Sequence, residues 1–320
     1  MLFPVSGVET NPAIPFLVAL VVSTFTSMGG ISGAFLLLPF QVSILGFTSP
    51  AVSPTNLVFN IVAIPSGVYR YFKEGRMNWP LTWVVILGTL PGVFFGALIR
   101  IKYLPDPKNF KLFVGCVLLY IGLRLLYEQT SMARRRKARI LEFETSVHER
   151  LRAVLKKSGK NRGQGLPSEA RVKTSAWSWR KVSYEFLGET FSFNTPALFA
   201  LTLAVGLISG TYGIGGGALV APFVVAIFGL PVYTIAGATL TSTFITSVAG
   251  VAIYYCLAPF FPGQAVAPDL ALGALFGIGG FCGMYAGARI QRYIKAIYIR
   301  IGLGLVISGL ALKYVVGFFW

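Results

Sequence analysis

At 320 residues, 55% hydrophobic and only 12% charged, the chain falls outside the soluble globular class. A formal net charge of +17 would point to nucleic acid in a soluble protein. Here 15 of the 28 Lys and Arg crowd between residues 129 and 190 against six Glu, so the excess reads as membrane topology and no nucleic-acid partner is expected.

Five apolar runs occupy about 13–28, 31–47, 51–70, 81–100 and 109–127. A helix needs roughly 20 apolar residues to cross the hydrocarbon core. The third to fifth runs meet that length. The first two are short and join at Met28-Gly29-Gly30-Ile31-Ser32-Gly33, which predicts either two pieces of a broken helix or a re-entrant hairpin. The leader MLFPVSGVETNPAIP has no basic stretch, which argues against a cleaved signal peptide.

In the third run Ser53-Pro54 reads as an N-cap followed by Pro at the first helical position. Asn56 and Asn60, four apart, then share one helix face. Gly88, Gly92 and Gly96 line one face of the fourth run, which predicts close helix–helix approach. Arg124 stands four residues before Glu128 and is placed to snorkel or pair with it.

The basic stretch that follows splits into three. Ile140, Phe143, Val147, Leu151 and Val154 have helical spacing, giving an amphipathic helix that lies on the anionic inner leaflet or docks on the bundle. Residues 158–168 read as a linker, and 177–194 as a short β-hairpin about a Leu-Gly-Glu turn, with Trp177 and Trp179 at the interface. The predicted division is 1–128, a membrane repeat; 129–195, a cytoplasmic basic segment; and 196–320, a second membrane repeat.

The second half repeats the first. Residues 213–254 overlay 30–71 without a gap, with Gly30/Gly213, Gly33/Gly216, Pro39/Pro222, Gly46/Gly229 and Gly67/Gly250 among the identities. The runs recur at about 197–212, 214–229, 232–256, 270–288 and 297–318. Gly279, Gly283 and Gly287 answer the glycines of the fourth run, and Gly302 and Gly309 answer Gly115 and Gly122 of the fifth. Five runs is an odd number, so the second half enters the membrane inverted and both termini lie outside. Loop 70–78 (Arg70, Lys73, Arg76) and the last loop (Arg289, Arg292, Lys295) are basic like the middle segment, whereas 257–269 carries only Asp269. Loop 100–111, with Arg100, Lys102, Lys108 and Lys111, runs against the scheme.

The expected fold is therefore an all-α polytopic membrane protein of two inverted repeats of about five segments each. Two copies of a Gly-broken apolar unit in one chain is the pattern of a secondary transporter, and the breaks mark the substrate site. Each break frees N–H groups and the positive end of a half-helix dipole, which suits an anion. The candidate binding residues are Gly30, Ser32, Gly33, Asn56 and Asn60 in the first copy. In the second they are Gly213, Gly215, Gly216, Gly217, Thr239 and Thr243, the two threonines lying over the two asparagines. Thr241, Ser242, Thr246 and Ser247 read as interhelical hydrogen-bonding groups. No Asp, Glu or His lies inside any run, which excludes a carboxylate relay at the midplane, and no catalytic constellation is present. Three cysteines and one histidine, His148, offer no metal site, and no cofactor is expected.

At GIGGGALVAPF (213–223) with Gly237-Ala238-Thr239-Leu240, at GISGAFLLLPF (30–40) with Pro54-Thr55-Asn56-Leu57, and at Gly188-Glu189-Thr190-Phe191-Ser192-Phe193, the chain resembles the TauE/SafE family of sulfite-exporter-like permeases. The first copy departs from the second at Ser32, Ala34 and Pro54. The resemblance implies movement of a small sulfur anion such as sulfite, thiosulfate or an organosulfonate across the cell membrane. The alternative reading is a membrane-embedded assembly protein that recruits a cytoplasmic partner through residues 129–195.

Overall fold

Helix starts are set by short polar side chains with proline just behind them. Asn78 Oδ1 accepts the N–H of Leu81, Asp106 Oδ1 that of Lys108 and Asn194 Oδ1 that of Ala197, with Pro80, Pro107 and Pro196 in the first helical positions. A computed structural model describes residues 1–29, 31–73, 75, 77–130, 172–290 and 296–320. The expected amphipathic helix and linker lie outside these residues, as do Gly30, Glu74, Arg76, His148, Arg292 and Lys295.

The first half comprises α1 (Ala13–Gly29), α2 (Ala34–Ser43), α3 (Val52–Ala63), α4 (Pro65–Lys73), α5 (Trp79–Lys102) and α6 (Pro107–Tyr127). The second comprises α7 (Thr195–Tyr212), α8 (Gly216–Phe228), α9 (Val232–Leu257), α10 (Leu270–Ile290) and α11 (Ala296–Phe319). Six of these, α5, α6, α7, α9, α10 and α11, are long and apolar enough to cross a membrane. Large apolar side chains such as Leu87, Phe94, Phe95, Leu305 and Leu312 lie exposed on them, as lipid contact requires.

Two helix lengths differ from expectation. The third run of the first half is split, because Pro65 has no N–H to donate and its ring crowds the preceding turn, so α3 stops at Ala63 and α4 starts afresh. Its repeat equivalent is Val248, and α9 runs unbroken through it. The first run of the second half, expected to be short, reaches spanning length because the Asn194 cap starts α7 ahead of the apolar run.

The two halves interlock by exchange. The helix of the fourth run in each half packs against the first helix of the other, α5 on α7 and α10 on α1, while α6 pairs with α11. Glycines make the first two contacts backbone to backbone. A Cβ on Gly92 would lie 2.5 Å from Leu203 O, one on Gly206 2.6 Å from Thr89 O, and one on Gly210 2.6 Å from Val93 Cα. On the other side Gly279, Gly283 and Gly287 press against the carbonyls of Phe16, Leu20 and Thr24. A threonine hydroxyl seals each contact, Thr211 donating to Gly96 O (3.0 Å) and Thr24 to Gly283 O (3.2 Å). The fifth-run glycines divide: Gly115 and Gly122 touch α11, but Gly302 and Gly309 face open space and do no packing.

At one end of α9 lies a three-stranded antiparallel sheet, β3 (Lys173–Trp177), β4 (Lys181–Phe186) and β5 (Glu189–Asn194). The expected hairpin is β4–β5, turning at Leu187 and Gly188, both with positive φ; β3 is an addition that the sequence reading did not foresee. Val182, Tyr184, Phe186 and Phe193 form its buried face, and the Tyr184 and Thr234 hydroxyls, 2.7 Å apart, tie it to α9. Burial raises the Tyr184 phenol above its ordinary value, with the Thr234 hydrogen bond pulling the other way. At the far end of α9, about 39 Å away by helix rise, gather the loops 44–51, 103–106 and 258–269. A small hairpin joins them there, β1 (Leu2–Phe3) with β2 (Val8–Glu9). Ala51 donates its N–H to Ala265 O, and Ser6 donates to Asp269 Oδ2 (2.8 Å).

Candidate functional site

Helix α7 ends inside the protein, with Thr211 and Tyr212 fully buried. Gly213 leaves it at φ 89° and Gly215 follows at φ 78°, after which α8 begins at Gly216. Both dihedrals lie in the left-handed region, where a Cβ would clash with the backbone. A helix end leaves its last carbonyls without partners, and hydrocarbon supplies no water to meet them. Side chains of α3 and α9 do so instead. Tyr254 Oη donates to Gly210 O (3.1 Å), Ser53 Oγ to Thr211 O (2.9 Å), Asn56 Nδ2 to Gly213 O (2.9 Å) and Asn60 Nδ2 to Ile214 O (2.9 Å). Each bond contributes about 1 kcal/mol net. The break is thus a built feature rather than a frayed end.

The restart is also held. Gly216 N–H donates to Thr246 Oγ1 (3.0 Å), which in turn donates to Ser242 O. The next N–H groups of the first turn, those of Gly217 and Ala218, belong to the four that an α-helix leaves without an internal acceptor. Together with the half-helix dipole they make the start of α8 electropositive.

The first copy solves the same problem locally. Ser32 Oγ accepts the N–H of Ala34 (3.3 Å), and Gly33 O accepts from Leu36 (3.0 Å) and Leu37 (3.1 Å). At the repeat-related positions the second copy has Gly215 for Ser32 and Thr246 for Ala63. Where the loop carries its own hydroxyl the third run has Ala; where the loop has Gly the third run supplies the hydroxyl. Asn56 joins the copies, since its Nδ2 also donates to Ala34 O (3.0 Å) at the start of α2 and its Oδ1 accepts from Gln41 Nε2 (3.2 Å).

The other candidate residues fall around this centre. Thr239 and Thr243 bond back to their own helix, at Ile235 O (3.1 Å) and Thr239 O (2.8 Å), a pattern common for hydroxyls inside helices. Thr243 borders Gly215 and Gly217, and Gly217 lies against Thr239 O. A Cβ on Gly33 would meet Ser23 Oγ at 2.8 Å, and one on Gly216 would meet Thr89 Cβ at 2.7 Å. Gly30 lies outside the described residues. Ser53 is not the cap that Ser53-Pro54 suggested: α3 starts two residues earlier with Ala51 at the N-cap, and the Ser53 hydroxyl turns to Thr211 instead. Tyr254, Thr246 and Gln41 were missed as parts of the centre; the identity of Tyr71 with Tyr254 in the repeat is the one signal that could have found Tyr254.

Three buried polar atoms at the centre lack partners: Asn60 Oδ1, Gln41 Oε1 and Ser23 Oγ. The Asn60 amide cannot turn round, because Ile214 O only accepts and holds Nδ2 toward itself. Among the described residues no group of His, Cys, Asp and Glu is placed to hold a metal ion.

A family model described as sulfite exporter TauE/SafE matches residues 15–314. No curated protein and no solved structure matches the chain significantly. The matched stretch takes in both breaks, the sheet, five of the six spanning helices among the described residues and most of the sixth, α11. The chain belongs to the TauE/SafE sulfite exporter family, a family of membrane transporters.

Proposed function

We propose that the chain carries a small sulfur-containing anion, with sulfite the first candidate and thiosulfate or an organosulfonate alternatives of the same chemistry. The α7–α8 break is the observation that carries this reading. In a bilayer an interrupted helix is costly, and here four side chains meet the carbonyl end while the first-turn N–H groups of α8 face the centre. Such N–H groups bind an anion without a buried side-chain charge. The site comprises Gly213, Gly215, Gly216 and Gly217 with Thr239 and Thr243, faced by Ser32, Gly33, Asn56 and Asn60 of the first copy. Their close packing supports a shut state, in which Asn56 latches both copies and must release one for the anion to enter.

The unpartnered Asn60 Oδ1 and Gln41 Oε1 accept but cannot donate. They suit a substrate that brings its own proton, as hydrogensulfite does. With no carboxylate inside the spans, any proton coupling then rides on the substrate. Uptake of labelled sulfite, thiosulfate and taurine into proteoliposomes, with and without an imposed pH gradient, tests both points. Sulfite should accumulate with the gradient, and a sulfonate that stays ionised should move without following it. No uptake of any of the three would defeat the reading; a sulfonate driven by the gradient would defeat the substrate-borne proton.

A further inference from the structure

A fully buried arginine with no counter-ion among the described residues sits near the loop end of α9. Arg100, in the last turn of α5, is 0% exposed. Its Nη1 donates to Leu104 O, its Nη2 to Thr48 O (3.2 Å) and Ser49 O (3.1 Å), and the guanidinium stacks 3.7 Å above the Phe110 ring. Every one of these partners is neutral. Among the described residues no carboxylate lies within ion-pair distance, and the titratable side chain that faces it is the phenol of Tyr254. Placement at a helix C-terminus favours a cation and accounts for the carbonyl bonds. It does not account for Nε, whose N–H is buried without an acceptor, nor for the Ser49 hydroxyl, buried and unpartnered on a residue that Arg100 already holds. Two idle donors on adjacent groups, beside a charge that no described residue neutralises, is an arrangement an anion would complete.

We propose that Arg100 Nε and Ser49 Oγ form a second anion site, a docking station for a small oxyanion at the end of the molecule opposite the sheet. The inference rests on the transporter reading above and extends it. Tyr254 faces Arg100 and bonds Gly210 O at the break, so the station adjoins the central site through one side chain. The ligand class is a compact oxyanion with at least two acceptor oxygens, because the two donors come from separate residues. Chloride, with no directional oxygens, fits it poorly.

The test uses the full chain purified in detergent, with sulfite, sulfate and chloride as separate probes and melting temperature and equilibrium binding as readouts. Ser49→Ala removes a hydroxyl with no protein partner, so melting without anion should be unchanged. The rise in melting temperature produced by sulfite should shrink, with affinity falling on the order of tenfold. Arg100→Lys keeps the charge but loses the planar fork and should weaken binding by a similar or larger factor. If Arg100→Lys does not fold, Ser49→Ala decides alone. Undiminished sulfite and sulfate binding in Ser49→Ala, or no oxyanion binding by the unaltered chain, overturns the site. Sulfite transport that persists with Ser49→Ala binding intact sinks the station and spares the transporter reading. Ser49-dependent binding with no transport of any sulfur anion does the reverse.

Discussion

Gly216 concentrates the problem of the site in one residue. Its N–H is held by Thr246, its φ is ordinary, and a Cβ would land 2.7 Å from Thr89 Cβ and 2.8 Å from Thr89 Cγ2. Packing and function therefore compete as reasons for glycine here, and a second site separates them. Gly216→Ala should cost about 1–3 kcal/mol of stability through overpacking. Thr89→Gly removes the atoms in the way at roughly 0.3 kcal/mol of helix propensity, threonine being itself a poor helix former. The double variant should then melt close to Thr89→Gly alone, a positive coupling in the cycle, while sulfite uptake stays low because the methyl still narrows the approach to the α8 N–H groups. Uptake that recovers along with stability would make Gly216 a packing residue only. Asn56 and Asn60 were legible as amides inside an apolar run, but their partners were not. At the break those are carbonyls more than 150 residues away, and nothing local in a sequence encodes which loop a side chain will cap. Ser53 shows the opposite failure: its local signal for a cap was clear, and a distant carbonyl won.

At the scale of elements, small residues decide which helices touch. A Cβ on Gly92 would meet Leu203 O at 2.5 Å and Leu207 N at 2.6 Å, both rigid backbone. Gly302 has nothing within 4 Å of its would-be Cβ. Gly92→Leu should abolish recovery of monodisperse protein, whereas Gly302→Ala should leave melting unchanged or raise it slightly, since alanine favours the helix by up to about 1 kcal/mol. Equal damage from both in size-exclusion and melting assays would refute the assignment of α5–α7 as the close contact. The glycine triplets were readable because spacing of four marks one helix face. That Gly302 and Gly309 are idle was not, because repeat identity shows descent from one unit and not present contact. The break points were legible in both copies, as runs too short to span joined by glycines. The interruption at Pro65 was not inferred, though Pro65 was in plain view, because the apolar run continues across it and length was taken as the guide. Strand β3 escaped for a related reason: its residues are exposed throughout and show no alternation.

For the whole molecule the open question is which end faces the cytoplasm, and the pairing of the halves sharpens it. Each half sets its fourth-run helix against the first helix of the other, a reciprocal exchange that suits two repeats related by a twofold axis. An odd number of crossings per half would put that axis in the membrane plane and invert the repeats, the arrangement we propose. The basic loop at 100–111 was the objection, and two of its charges answer to protein rather than to lipid. Arg100 is buried among carbonyls, and Lys108 Nζ lies 5.4 Å from the Phe318 ring, beside the C-terminal end of α11, where a cation is favoured. Discounting them leaves Lys102 and Lys111 against the dense charge of the segment that leads into the sheet. We therefore expect the sheet end inside and the end bearing loop 258–269 outside. Cys116, Cys256 and Cys282 are all exposed and must first be replaced. In that background Trp179→Cys, on a residue 84% exposed at the sheet, should resist a membrane-impermeant maleimide in intact cells and react once they are opened. Gln264→Cys, exposed in the far loop, should react without opening. Labelling of both from one side would break the inverted arrangement, and labelling of Trp179→Cys alone would keep it and turn the molecule over.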